Sequence, residues 1–105
     1  DGGVDTLIVS TPNYLHSEQT IAGLEAGLHV LVEKPMAANS IQAEAMNQSA
    51  QKTGRLLMVG HCFRFDPETI WLRSQIVSGK IGSIVQTKGS SIHVNWGPTG
   101  WFSQK

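Results

Sequence analysis

The chain has 105 residues, 40% apolar and 15% charged, with 8 Lys and Arg against 8 Asp and Glu. That length holds at most one ordinary domain, and the composition is that of a globular chain rather than a disordered one. A formal net charge of zero argues against electrostatic binding to nucleic acid or an anionic membrane, and no apolar run approaches the roughly 20 residues that span a bilayer. The single cysteine, Cys62, cannot pair within the chain, and no Cys/His set has zinc spacing. No structural metal is therefore expected, and a reducing cytoplasm is the expected compartment. The chain opens on Asp1-Gly2-Gly3 without an initiator Met or a signal-peptide pattern, and it closes on Trp101-Phe102-Ser103-Gln104-Lys105. It reads as the middle of a longer protein.

In chain order, Val4 to Ser10 is a short apolar run expected to be a buried strand, ended by Pro12. Asn13 can cap the helix expected next. From Tyr14 to Ala26 the apolar positions Leu15, Ile21, Ala22, Leu24 and Ala26 fit that helix, closed by Gly27. His29 to Val32 is a second strand. Asn39-Ser40 can cap a second helix with an inward face of Ile41, Ala45, Met46 and Ala50, ended by Gly54. Arg55 to Gly60 is a third strand. Pro67 suits the first turn of another helix, which carries Ile70, Trp71, Ile76 and Val77 and ends at Gly79. From Ile81 the segment IGSIVQTKGSSIHVNW alternates like a strand and has no helical period.

Strand–helix–strand–helix–strand over the first 60 residues is the pattern of right-handed crossovers in a parallel α/β sheet. The segment after Ile81 is expected in a different, antiparallel layer, with the boundary between Gly60 and Pro67. In an open parallel sheet, ligands sit outside the carboxyl ends of the strands. Three such ends carry polar residues: Ser10-Thr11-Pro12-Asn13, Glu33-Lys34-Pro35 and Gly60-His61. An ammonium such as that of Lys34 can polarise a carbonyl or hydroxyl oxygen, and Glu33 can balance its charge or orient a cofactor. The plain alternative is a pair of solvated strand-end charges, and the residues alone leave the two evenly matched. Asn13 and His16, three apart at a helix entrance, read as an anion- or amide-facing pair or as a cap beside an exposed histidine. In Gly60–Pro67, Phe63 and Phe65 alternate with Cys62 and Arg64, so that one pair packs while the other faces a cleft. Arg64 binds an anion or sugar hydroxyl, or ties two domains together; His61 stays undecided. His29 starts a strand, His93 fits a sheet face, and Trp96 and Trp101 sit in a Gly/Pro-rich loop that covers a core edge or stacks on a ligand. No nucleophilic triad, paired acid/base carboxylates or glycine-rich phosphate turn is present.

The ordered set STPNYLH, AGLHVLVEKPMA, GRLLMVGHCFRFDP and SGKIGSI resembles the glucose–fructose oxidoreductase/inositol dehydrogenase (Gfo/Idh/MocA) family from about Asp5 to Ile84. The resemblance implies the C-terminal half of a Rossmann-type parallel-sheet domain over residues 1–62. Residues 63–105 would then start an α+β domain with a large, open, mainly antiparallel sheet for substrate binding and homo-oligomerisation. It implies NAD or NADP as cofactor and a sugar, cyclitol or related polyol as substrate. Lys34 would be catalytic, hydrogen-bonding the substrate oxygen on the cofactor side. Glu33 would contact the nicotinamide end, and Pro35 would shape the turn, with a cis Lys34–Pro35 bond as one means. Thr11, Pro12, Asn13 and His16 would line the nicotinamide ribose, and Arg64, with His61, would border the substrate pocket. The family's glycine-rich turn is expected about 60 residues upstream, and its Asp and His partners of the lysine lie further toward the C-terminus. The fragment alone is therefore expected to be inactive. Two other functions share the scaffold: an NAD-dependent glycosidase, and a non-catalytic dinucleotide-binding regulator. Family members of the latter kind tend to lose the lysine that stands here as Lys34.

Overall fold

The computed structural model describes residues 3–90. They divide into two compact units, one ending at His61 and the other beginning at Cys62. The first unit is a three-stranded parallel sheet in the order β1-β2-β3, with β1 at Thr6–Val9, β2 at His29–Glu33 and β3 at Leu57–Gly60. The register pairs Val9 with Val32, Val32 with Val59 and Glu33 with Gly60, so all three strands end at one edge. Helix α1 (His16–Glu25), preceded by a 3₁₀ turn at Asn13–Leu15, links the first two strands, and α2 (Ser40–Thr53) links the second and third.

Both helices pack together and lie on the same sheet face. Val9, Val30 and Val32 of the sheet bury against Leu24 of α1 and Met46 of α2, with Leu7, Leu57 and Val59 around them. Successive strand residues point to opposite faces. Ile8 and Met58 accordingly remain 65% and 50% exposed on the other face, with Leu31 between them in register. Gly23 is what lets α1 approach: a Cβ there would stand 2.7 Å from Leu7 Cδ2 and 3.1 Å from Val30 Cγ2.

Caps account for much of the punctuation. Asn39 sits at the N-cap of α2 with extended backbone, and its side chain accepts the Gln42 N–H at 2.9 Å. Gln42 Oε1 in turn accepts the Ala38 N–H at 3.1 Å, so two otherwise orphan donors at the helix start are met. Gly54 closes α2 at φ 65°, the left-handed conformation that favours glycine. Asn39→Ala is expected to cost about 1 kcal/mol, read as a lower urea midpoint for the whole protein.

Several expectations need correction. Asn13 does not cap α1; it lies within the 3₁₀ turn, whose N-cap is Pro12. The inward face of α1 is His16, Ser17, Thr20, Gly23 and Leu24, while Ala22 and Ala26 are exposed. Ile41 is 81% exposed rather than inward, because the buried stripe of α2 runs through Met46 and Ser49.

The second unit contains a 3₁₀ helix at Cys62–Phe65 and α3 at Pro67–Val77, with Pro67 in its first turn. Neither alternate pair of Cys62–Phe65 packs: all four residues are exposed, and the segment winds with a period near three, which leaves no two-residue alternation of faces. Residues 81–90 form no strand, in contrast to their alternating pattern. His93, Trp96 and Trp101 lie outside the described residues. Among the described residues no helix is long and apolar enough to cross a membrane, and no group of His, Cys, Asp and Glu is arranged to hold a metal.

Candidate functional site at the strand ends

Parallel register brings the polar residues that come after β1, β2 and β3 to one edge. With strands about 4.8 Å apart, the three ends span roughly 10 Å. After β1 come Thr11, Pro12 and Asn13, all half-buried. β2 ends on Glu33, and Lys34 and Pro35 follow; all three are exposed, with a cis Lys34–Pro35 peptide. After β3 comes His61, exposed, whose N–H donates to the Val59 carbonyl at 2.8 Å.

Glu33 is turned back on the main chain. Its Oε2 accepts the Lys34 backbone N–H at 3.0 Å. Its Oε1 lies over the end of β3, where a Cβ on Gly60 would stand 3.4 Å away. The missing side chain of Gly60 leaves that space to the carboxylate. Lys34 therefore follows the middle strand as an exposed residue, its backbone N–H bound to the carboxylate of the residue before it.

His16, the first residue of α1, is 1% exposed. Its Nε2 is 2.8 Å from the Thr11 carbonyl oxygen and its Nδ1 is 2.8 Å from the Pro35 carbonyl oxygen. A carbonyl only accepts and a neutral imidazole carries a single N–H, so the nitrogen that bears it donates to its carbonyl while the other nitrogen rests against the second one, the choice depending on the tautomer. The expectation of an exposed histidine beside a cap is thus not met: the ring is buried and spans the two loops. The Thr11 hydroxyl donates to Gln19 Oε1 at 2.7 Å, which fixes the same loop to α1 a second time.

Of the residues expected at a site, Thr11, Pro12, Asn13, His16, Glu33, Lys34, Pro35 and His61 all belong to the first unit, and the sheet gathers the three strand ends at one edge. Arg64 belongs to the second unit, exposed in its 3₁₀ helix. Gln19 was missed, since nothing in the sequence singles out one polar residue inside a helix. His29 has a structural use that its position at a strand start did not reveal. Its Nδ1 accepts the Leu56 N–H at 3.0 Å, which places the ring proton on Nε2 and joins β2 to the entry of β3.

The family described as "Oxidoreductase family, NAD-binding Rossmann fold" (GFO_IDH_MocA) matches residues 1–61. A 4-carboxy-2-hydroxymuconate-6-semialdehyde dehydrogenase of a Sphingobium strain is 44% identical over 78 residues, 74% of this chain and 25% of that protein. The D-glucoside 3-dehydrogenase of Escherichia coli is 38% identical over 97 residues, 92% of this chain and 27% of that protein. Among solved structures, the WlbA dehydrogenase of Bordetella pertussis, in complex with NADH and UDP-GlcNAcA, superposes with a TM-score of 0.74 at 32% identity. The match covers 78% of this chain and 24% of the other. The chain spans about a quarter of the length of the relatives it matches. A parallel sheet whose strand ends carry T-P-N-x-x-H, E-K-P and G-H in that order, within a family match over more than half its residues, belongs to the Gfo/Idh/MocA family of oxidoreductases.

Proposed function

We propose that the whole protein is an NAD(P)-dependent oxidoreductase acting on a CH–OH group of a sugar, cyclitol or related hydroxy compound. The observation that carries this reading is the exposed Lys34 at the carboxyl end of the middle strand, which register places between the strand that leads into the Thr11–Asn13 turn and the end of β3. The surrounding groups suit the nicotinamide end of a dinucleotide: an amide, a hydroxyl-bearing turn, a carboxylate and a cation. Glu33, Thr11, Pro12, Asn13 and Pro35 would hold that end, and the bound dinucleotide would supply a hydride acceptor. Lys34 would donate a hydrogen bond to the substrate oxygen and offset the negative charge that develops on it as the C–H bond breaks. Arg64 and His61 would border the substrate.

The sheet face that carries the exposed Ile8 and Met58 supports a further layer over that face in the whole protein, because parallel sheets are normally covered on both faces. Residues 1–62 would then belong to the dinucleotide-binding domain. Residues 63–105 would open a domain with a mainly antiparallel sheet that carries homo-oligomer contacts; the separation of units at His61 and Cys62 supports this boundary. A cytoplasmic compartment fits the single cysteine, and the balanced charge fits a protein without nucleic-acid or membrane partners. A glucoside dehydrogenase and a dehydrogenase that binds UDP-GlcNAcA among the relatives support a sugar-like substrate.

The test is to incubate the whole protein with NAD⁺ or NADP⁺ and a panel of polyols, cyclitols and glycosides. Reduced cofactor is expected to accumulate in step with a carbonyl product. Release of an aglycone without net reduced cofactor would instead identify a glycosidase. Dinucleotide binding with no turnover across the panel would identify a regulator.

A further inference from the structure

His16 is the most constrained polar side chain in the first unit. It is 1% exposed, and both ring nitrogens lie 2.8 Å from backbone carbonyls on two different loops. One loop comes after β1 and presents Thr11. The other comes after β2 and presents Pro35, the residue after Lys34. Proline has no N–H, so its carbonyl is the only main-chain hydrogen-bonding group it offers. The His16 ring takes that group. The Thr11 loop is also tied to α1 through the Gln19 side chain, so α1 acts as a fixed post to which the Pro35 carbonyl is pinned.

A residue that merely filled space here would be apolar, since a buried polar ring is costly unless its nitrogens are met. The imidazole has two nitrogens on opposite sides of a rigid ring. It can reach two carbonyls that lie 5 and 19 residues away from it in sequence.

We propose that His16 is a positioning residue for Lys34. Buried between the Thr11 and Pro35 carbonyls and donating to one of them, the ring holds the two loops in register and so fixes where the backbone presents Lys34 relative to the Thr11–Asn13 turn. It acts through the backbone and not by touching the cofactor ribose, as the family resemblance alone would imply. This inference rests on the oxidoreductase reading above for the role of Lys34, but not for the tie between the loops.

The experiment compares His16→Leu and His16→Gln in the whole protein, each with Lys34 intact and in a Lys34→Met background. Hydrogen exchange without cofactor is followed in segments 10–15 and 33–38, with α2 as the internal reference. His16→Leu is expected to speed exchange in both loops by roughly tenfold and to leave α2 unchanged. It should lower kcat about 100-fold when Lys34 is present and only about twofold further when Lys34 is Met, because the two residues act as one unit. His16→Gln, which keeps a side-chain N–H donor, should recover part of both effects. If His16→Leu does not fold, His16→Gln carries the same readouts. Unchanged exchange in the two loops would overturn the proposal. So would faster exchange in α2 together with an equal loss of kcat in both backgrounds, which is the mark of a general packing role. A wild type that turns over none of the polyols would sink the oxidoreductase reading, while exchange would still decide whether His16 ties the loops.

Discussion

Lys34→Met in the whole protein is expected to lower kcat by about 10²- to 10⁴-fold while changing the dissociation constant of NADH little. Lys34 is exposed at the tip of β2, so the substitution leaves the core of the sheet untouched. Methionine keeps the length of the side chain and removes its charge. A hydrogen bond to an oxygen that gains charge only in the transition state is lost in kcat and not in ground-state binding. The loss corresponds to about 2.7–5.5 kcal/mol of barrier. Lys34→Arg should not restore full activity, because a planar fork cannot replace a compact ammonium at one oxygen. Steady-state rates with saturating cofactor check this, and an unchanged kcat would remove Lys34 from the chemistry.

Leu24→Ala is expected to destabilise the first unit by about 2–5 kcal/mol, the range for deleting a buried leucine that leaves a cavity. Leu24 is fully buried, 0% exposed, and shares its cluster with Val9, Val30, Val32 and Met46, so the loss falls at the junction of both helices with the sheet. Ile41→Ala removes a similar amount of hydrocarbon from α2 but at a position 81% exposed, and should stay within about 0.5 kcal/mol of wild type. Urea midpoints of the two variants, measured side by side, give the comparison. Equal losses would mean that the buried stripe of α2 has been placed wrongly.

The contrast between those two residues shows what the sequence made legible. Strand and helix order came from punctuation whose physics is local. Pro12 and Gly27 bracket α1, Asn39 and Gly54 bracket α2, and Pro67 opens α3. Local chemistry of this kind is readable without tertiary contacts. The facing of the helices was not readable in the same way. Counting apolar positions pointed to Ala22, Ala26 and Ile41, yet the buried side of α1 carries His16, Thr20 and Gly23 beside Leu24, and Gly23 is where the helix meets the sheet. A helix that must approach a sheet closely needs a small residue at the contact, and Gly23 supplies it at the cost of an apolar period. The spacing His16, Thr20, Gly23, Leu24 is itself a helical stripe, and it becomes visible only when polar residues are allowed on the inner face.

The site was legible as a place more than as a set of contacts. Parallel topology put Thr11–Asn13, Glu33–Pro35 and Gly60–His61 at one edge, because register alone decides which ends coincide. The pairing of His16 with two carbonyls, and of Thr11 with Gln19, depends on side-chain directions that spacing does not encode. The alternation after Ile81 illustrates the opposite limit. A period of two describes how a strand would look but says nothing about whether a partner strand is there to pair with it, and residues 81–90 form none.

Hydride transfer at this strand edge is tested most directly with a polyol that turnover identifies as a substrate, labelled with deuterium on the reacting carbon. The whole protein is incubated with that polyol and oxidised dinucleotide, and the label is then located. Direct transfer predicts deuterium at C4 of the nicotinamide, with the label lost from the product carbon. Deuterium found only in water, or retained on the sugar, would contradict it.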